Sequence, residues 1–252
     1  MIVREMQNSI AVLRMEHGKV NALDIELFSE LQTELKYLES SEAKAVILTG
    51  TGKSFSAGVD LFRLLRSGTD YVRSFVKILC EGLEILFFYP KPVVAAVNGH
   101  AVAGGYILTC ACDYRIAAQT SLTIGVPELL VGVPFPAVAL EIMRFAVAPQ
   151  HLQQIAYTAR TYLPDDAMQL GLIDEVAAPE KLMERAIQIA SGFGLLPADA
   201  FKLAKKRLRE PVRQRLQMLP EESEEVMRAW CDPETHRIIR NYLDRTIGKR
   251  NS

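Results

Sequence analysis

Three observations predict an α/β fold with parallel strand pairing. The segment KPVVAAVNG at 91–99 is an almost uninterrupted apolar run, the pattern of a strand buried on both faces of a parallel sheet. Before and after it, short strand-like runs alternate with stretches whose apolar residues recur at helical spacing. From about residue 136 onward the pattern is almost all helical. Residues 1–195 therefore read as a strand–helix body and residues 196–252 as a helical C-terminal region.

Residues 2–6 and 9–15 read as a short β-hairpin. Over 24–39, Leu27, Leu31, Leu35 and Leu38 share one helical face, with Asp24 placed to cap the helix. AVILTG at 45–50 is a strand. Val72, Phe75, Val76, Leu79, Leu83 and Leu86 mark a helix over 69–89, which Pro90 and Pro92 stop. After strand 91–99, AVAGGYILTCACD breaks at Gly104–Gly105 and continues as a short buried helix. DYRIAA at 113–118 and SLTIG at 121–125 are further strands. DDAMQLGLIDEV at 165–176 is a helix that stops at Gly171 and turns into a short strand. Helices are expected over 179–194, 197–209, 211–219, 221–231 and 233–247, with Pro220 separating two of them.

The formal net charge of −1 gives no reason to expect a nucleic-acid or membrane-surface partner. No charged-then-apolar leader opens the sequence, and no apolar run is long enough to span a bilayer, so a cytoplasmic location is expected. The four cysteines form no CxxC pair and the histidines no HExxH, so no metal is expected. Cys110 and Cys112 lie in an apolar stretch and read as small buried hydrophobes.

The stretch TGTGKSFSAGVD at 49–60 resembles a phosphate-cradling loop at first sight. The glycine such a loop requires upstream is replaced by Ile47, inside the strand, so a nucleotide role is rejected. Another pairing is more informative. FSAGVD at 55–60 and NGHAVAGG at 98–105 are glycine-containing turns that each follow a buried strand. Glycines let backbone N–H groups approach a ligand, and two such donors aimed at one point form an oxyanion hole. Glu128, in IGVPELLVG, is the one carboxylate between Asp113 and Glu141, and its surroundings are strongly apolar. A carboxylate so placed is paired, neutral, or used as an acid and base.

With FSAGVDL, KPVVAAVNGHAVAGG, CDYRIA, IGVPELLVGV and AMQLGLIDEV in this order and spacing, the sequence resembles the crotonase superfamily of enoyl-CoA hydratases and isomerases over roughly residues 2–250. The resemblance implies a spiral of ββα turns followed by C-terminal helices that trimerise, giving a homotrimer or a dimer of trimers. It implies acyl-CoA thioester substrates and no organic cofactor or metal, coenzyme A being part of the substrate. By matching positions, the N–H groups of Val59 and Gly104 would be the oxyanion donors. The backbone of Ser56, Ala57, Gly58, Val59 and Asp60, with Gly104 and Gly105, would meet the substrate.

Hydratases of the family carry two glutamates that hold and activate water. Here the first position is Ile107 and the second is Glu128. A single carboxylate can still shuttle a proton between two carbons, so the sequence is most similar to the mitochondrial-type Δ3,Δ2-enoyl-CoA isomerase branch. A hydratase or another lyase or hydrolase of the scaffold, and a weakly catalytic CoA-binding protein, are the rival readings. The basic run KLAKKRLREPVRQR at 202–215 reads as a solvated helical face, as a contact for CoA phosphates, or, least favoured, as a nucleic-acid contact.

Overall fold

A computed structural model describes residues 1–219 and 224–248. Pro220 lies outside the described residues, as does the start of the helix expected over 221–231. The hairpin forms from β1 (Ile2–Gln7) and β2 (Ile10–Met15), paired antiparallel. The expected capped helix is α1 (Ile25–Glu39), whose Asp24 side chain accepts from the Leu27 N–H at 2.9 Å.

From here the chain repeats one unit three times: a strand in a large sheet, a strand in a small sheet, then a helical turn. The first unit is β3 (Ala45–Thr49), β4 (Ser54–Ser56) and α2 (Leu61–Phe87). The second is β5 (Val93–Val97), β6 (His100–Val102) and α3 (Gly104–Ala111). The third is β7 (Tyr114–Ala118), β8 (Ile124–Gly125) and the 3₁₀ turn Glu128–Val131. The chain continues through α4 (Ala137–Ala146), α5 (Pro149–Thr158), β9 (Thr161–Tyr162), α6 (Pro164–Gln169), β10 (Glu175–Ala177) and α7 (Leu182–Gly194). It ends in α8 (Ala198–Met218), α9 (Glu224–Cys231) and α10 (Pro233–Gly248).

The large sheet has the order β1-β2-β3-β5-β7-β10 and is parallel beyond the hairpin. The small sheet has the order β4-β6-β8-β9, with β4, β6 and β8 parallel. Every residue of β3 and β5 is buried, as their unbroken apolar runs require.

Several expectations are corrected. The helix expected at 69–89 begins at Leu61 and bends at Gly68, where φ is 75°. The polar RSGTD stretch hides that first segment. Its start is capped by Asp60, which accepts from the Arg63 N–H at 2.9 Å. The helices expected at 197–209 and 211–219 are one, α8, with Pro211 inside it and exposed. The strand expected at 121–125 shrinks to Ile124–Gly125. The GKS stretch is a tight turn whose polar groups are spent internally: Asn98 accepts from the Gly50 N–H at 2.8 Å and donates to the Gly52 carbonyl.

Much of the basic run is structural, which none of its three readings anticipated. Lys205 and Arg209, one turn apart on α8, are 7% and 3% exposed and clamp Asp113 at 2.6 and 2.8 Å. Arg209 also donates to the carbonyls of Phe87 and Ala111 and lies over the Phe87 ring. Burial pulls the Lys205 ammonium down to about 8, against the pull of Asp113. Arg215 reaches Glu141 on α4. The cluster locks the C-terminal helices onto the body. Replacing Asp113 by Ala strands two buried cations, so urea unfolding at pH 7 is expected to show a loss of about 3–5 kcal/mol.

Candidate active site

Because β4, β6 and β8 are parallel and adjacent, their C-terminal ends lie side by side. Ser56 pairs with Ala101, Ala101 with Ile124, and Val102 with Gly125. The three turns that leave these strands therefore meet. They carry Ala57–Asp60, Ala103–Gly104 and Val126–Glu128, the same position of three successive repeats.

The first turn is held from behind by Leu23. The Leu23 N–H donates to the Gly58 carbonyl at 2.8 Å, and its carbonyl accepts from the Asp60 N–H at 3.0 Å. In this parallel bridge the residue between, Val59, keeps its own N–H on the side away from Leu23. The second turn starts α3. As the first helical residue, Gly104 has an N–H with no intrahelical acceptor, at the positive end of the helix dipole. Ala103, before it, has φ 53° and ψ −134°, a conformation that costs roughly 1–3 kcal/mol in a non-glycine residue. Its N–H donates to the Gly125 carbonyl at 2.8 Å, which ties the second repeat to the third.

The first two turns touch. A Cβ on Gly58 would lie 2.8 Å from the Ala103 Cβ and 3.3 Å from the Gly104 nitrogen, and the Gly58 φ of 81° excludes most side chains besides. A Cβ on Gly105 would lie 2.3 Å from the Ser56 carbonyl oxygen. Glycine at these positions sets the spacing of the two N–H groups.

Val59, Gly104, Ile107 and Glu128 line one cavity of about 100 Å³. The rest of its wall is apolar, from Leu79 and Leu83 on α2 to Pro134 and Phe135 before α4. Glu128 opens the 3₁₀ turn, which Gly132 closes with φ 70°. Its Oε2 is fully buried and accepts no hydrogen bond among the described residues. Burial pushes the carboxyl up to about 8, against a weaker opposing pull from its own backbone N–H.

Of the residues expected to meet a substrate, Ala57, Val59 and Gly104 reach the cavity wall. Ser56, Gly58, Asp60 and Gly105 stand behind it. The Ser56 hydroxyl donates to the Asn21 carbonyl at 2.7 Å and accepts from the Gly58 N–H. Asp60 caps α2, and Gly105 packs on Ser56.

Three residues were missed. Buried Asn21 donates to the carbonyls of Ser54 and Phe55, holding the first turn. Trp230 of α9 and Tyr242 of α10 line the cavity although they are more than a hundred residues from its other polar groups. The one tryptophan of the chain, on a helical apolar face, was the available signal. The thiols of Cys110 and Cys112, pushed up to about 11 and 12 by burial, are packing groups as expected.

Two sheets filled in turn by ββα units, with three turns meeting at an apolar cavity, define an enzyme scaffold of the ββα-spiral class. The chain belongs to the enoyl-CoA hydratase/isomerase family, whose model matches residues 5–244. It is 32% identical over 210 residues to a short-chain-enoyl-CoA hydratase of Clostridium acetobutylicum, covering 82% of this chain and 80% of that one. An enoyl-CoA isomerase structure from Mycobacterium tuberculosis is similar with a TM-score of 0.80 and 33% identity, over 86% of this chain and 94% of that one. The human mitochondrial delta3-delta2-enoyl-CoA isomerase gives a TM-score of 0.93 over 98% of both chains; at 24% identity this likeness concerns the fold. Relatives are thus named as hydratases and as isomerases. Among the described residues, no helix is long and apolar enough to cross a membrane.

The raised Glu128 carboxyl has a stability consequence. Between its ordinary value of 4.5 and about 8, the folded chain holds a proton that the unfolded chain has released. Stability from this group is therefore intact below pH 4.5 and is lost as pH rises through 8. Glu128→Gln is expected to unfold at a higher temperature than the unsubstituted protein at pH 9. The gap, on the order of 3 kcal/mol, should close towards pH 5 in calorimetric scans.

Proposed function

We propose that the protein is an enoyl-CoA isomerase that moves the double bond of a 3-enoyl-CoA to the 2-position, as in fatty-acid β-oxidation. One observation carries this reading: among the described residues, Glu128 is the one carboxylate lining the cavity, and apolar Ile107 stands where hydratases of the family have the other. Hydration needs a water both held and deprotonated, and an isoleucine does neither. A 1,3-proton shift needs a single base.

In this reading ionised Glu128 takes a proton from C2. The C2–H electrons make the C1–C2 bond double, the carbonyl π electrons move onto the thioester oxygen as its negative charge, and the product is a dienolate. The N–H groups of Val59 and Gly104 hold that oxygen, each worth about 3–4 kcal/mol. Glu128 then gives the same proton to C4, leaving the double bond between C2 and C3. The proton balance calls for no metal or organic cofactor. Ser56, Gly58, Asp60 and Gly105 act by fixing the two turns. A base whose conjugate acid titrates near neutrality suits the task. In the free enzyme the ionised form is the active one, so kcat/KM should rise with pH, reach half its maximum near 8 and level off above that.

Hydration is the second reading, favoured by the likeness to the Clostridium acetobutylicum hydratase. Two substrates and two variants separate them. The unsubstituted protein should isomerise 3-hexenoyl-CoA and leave 2-hexenoyl-CoA unhydrated. Glu128→Gln should lose about 10³-fold in isomerisation, and Ile107→Glu should gain hydration. Hydration without isomerisation by the unsubstituted protein, or near-normal isomerisation by Glu128→Gln, would overturn the proposal.

We take the assembly to be a homotrimer or a dimer of trimers, as the family resemblance implies. Leu203 and Leu208 along α8, with Leu195 before it, are exposed and offer apolar surface for it. Light scattering should give the mass of three or six chains, and a monomer would refute this part.

A further inference from the structure

The cavity has one wall made by the C-terminal helices, and its largest side chain is the indole of Trp230. That side chain is 3% exposed. Its N–H donates to the Pro134 carbonyl at 3.0 Å, and its ring centroid lies 6.3 Å from that of buried Phe75 on α2. The indole is thus held by the segment before α4 on one side and by α2 on another. Swinging it aside would leave its N–H buried without an acceptor.

The reacting carbons must sit between Glu128 and the N–H groups of Val59 and Gly104. A longer acyl tail is therefore driven along the remaining apolar lining, formed by Leu79, Leu83, Phe135 and Trp230. The space is small. A cavity of about 150 Å³ accepts a six-carbon aromatic ring, whereas this one holds about 100 Å³. In the same proportion, about four carbons of an acyl group fill it.

We infer that Trp230 sets the acyl chain length and that the protein's substrates are short-chain enoyl-CoA thioesters. This rests on the acyl-CoA part of the function proposed above and not on which reaction follows. Trp230 is a specificity-determining residue here and takes no part in the proton transfer.

The test uses saturated acyl-CoAs, which bind without reacting. Dissociation constants are measured by calorimetry from butanoyl- to dodecanoyl-CoA for the full chain, for Trp230→Phe and for Trp230→Ala. The unsubstituted protein should bind hexanoyl-CoA at least tenfold more tightly than decanoyl-CoA. Trp230→Phe should narrow that ratio and Trp230→Ala should remove it. Equal affinity of the unsubstituted protein for hexanoyl- and decanoyl-CoA would overturn the inference whatever the variants do. So would a folded Trp230→Ala that keeps the cut-off. Failure to bind any acyl-CoA would overturn the proposed function as well. Equal isomerisation of 3-hexenoyl- and 3-decenoyl-CoA would sink the chain-length inference alone.

Discussion

The parallel pairing of β4, β6 and β8 is the constraint on which the site depends. Parallel strands all end on the same edge of their sheet, so whatever follows each strand is delivered to one place. The small sheet could not stand alone, since its strands are two or three residues long. It persists because β4, β6 and β8 are each tethered to a strand of the large sheet a few residues upstream, of which β3 and β5 are fully buried. Three repeats then present three strand exits together, and each exit offers a different group: a backbone N–H from a bridged turn, a backbone N–H from a helix start, and a carboxylate. The contacts at Gly58 and Gly105 convert that approximate convergence into a fixed spacing.

The protein buries charge in two opposite ways. Asp113 is surrounded: Lys205, Arg209 and the Val93 N–H all donate to it, and the cations spend their remaining donors on backbone carbonyls. Such a cluster is inert and holds helices together. Glu128 is different: its Oε2 is buried with no hydrogen-bond partner among the described residues, and burial pushes its carboxyl up to about 8. Low dielectric is common to both sites. The presence or absence of a counter-charge decides which becomes a fastener and which is left with a raised proton affinity.

The local parts of this arrangement were legible because each leaves a mark within a few residues. The cap at Asp24, the doubly buried strand 93–97 and the isolated Glu128 can be read from neighbours in the chain. Small glycine turns after buried strands were visible too, and so was the apolar residue at 107. What escaped depends on long-range packing. No local pattern reveals that Lys205 and Arg209 turn inward, because their charges match those of a solvated face until Asp113 is brought opposite them. Pro211 looked like a helix boundary because local propensity outweighs, on paper, the tertiary contacts that carry α8 through it. Asn21 and Trp230 act across 33 and 96 residues respectively, to Ser54 and Pro134.

The use of α9 and α10 as a cavity wall also bears on how the molecule comes into being. All three strand exits lie within the first 128 residues and can form while synthesis continues, since chains fold from the N-terminus as they emerge. Trp230 and Tyr242 leave the ribosome about a hundred residues after Glu128. Until they arrive, the carboxylate lies open to water and lacks the dry surroundings that raise its proton affinity. The wall over Glu128 is therefore completed only when α9 and α10 have been made.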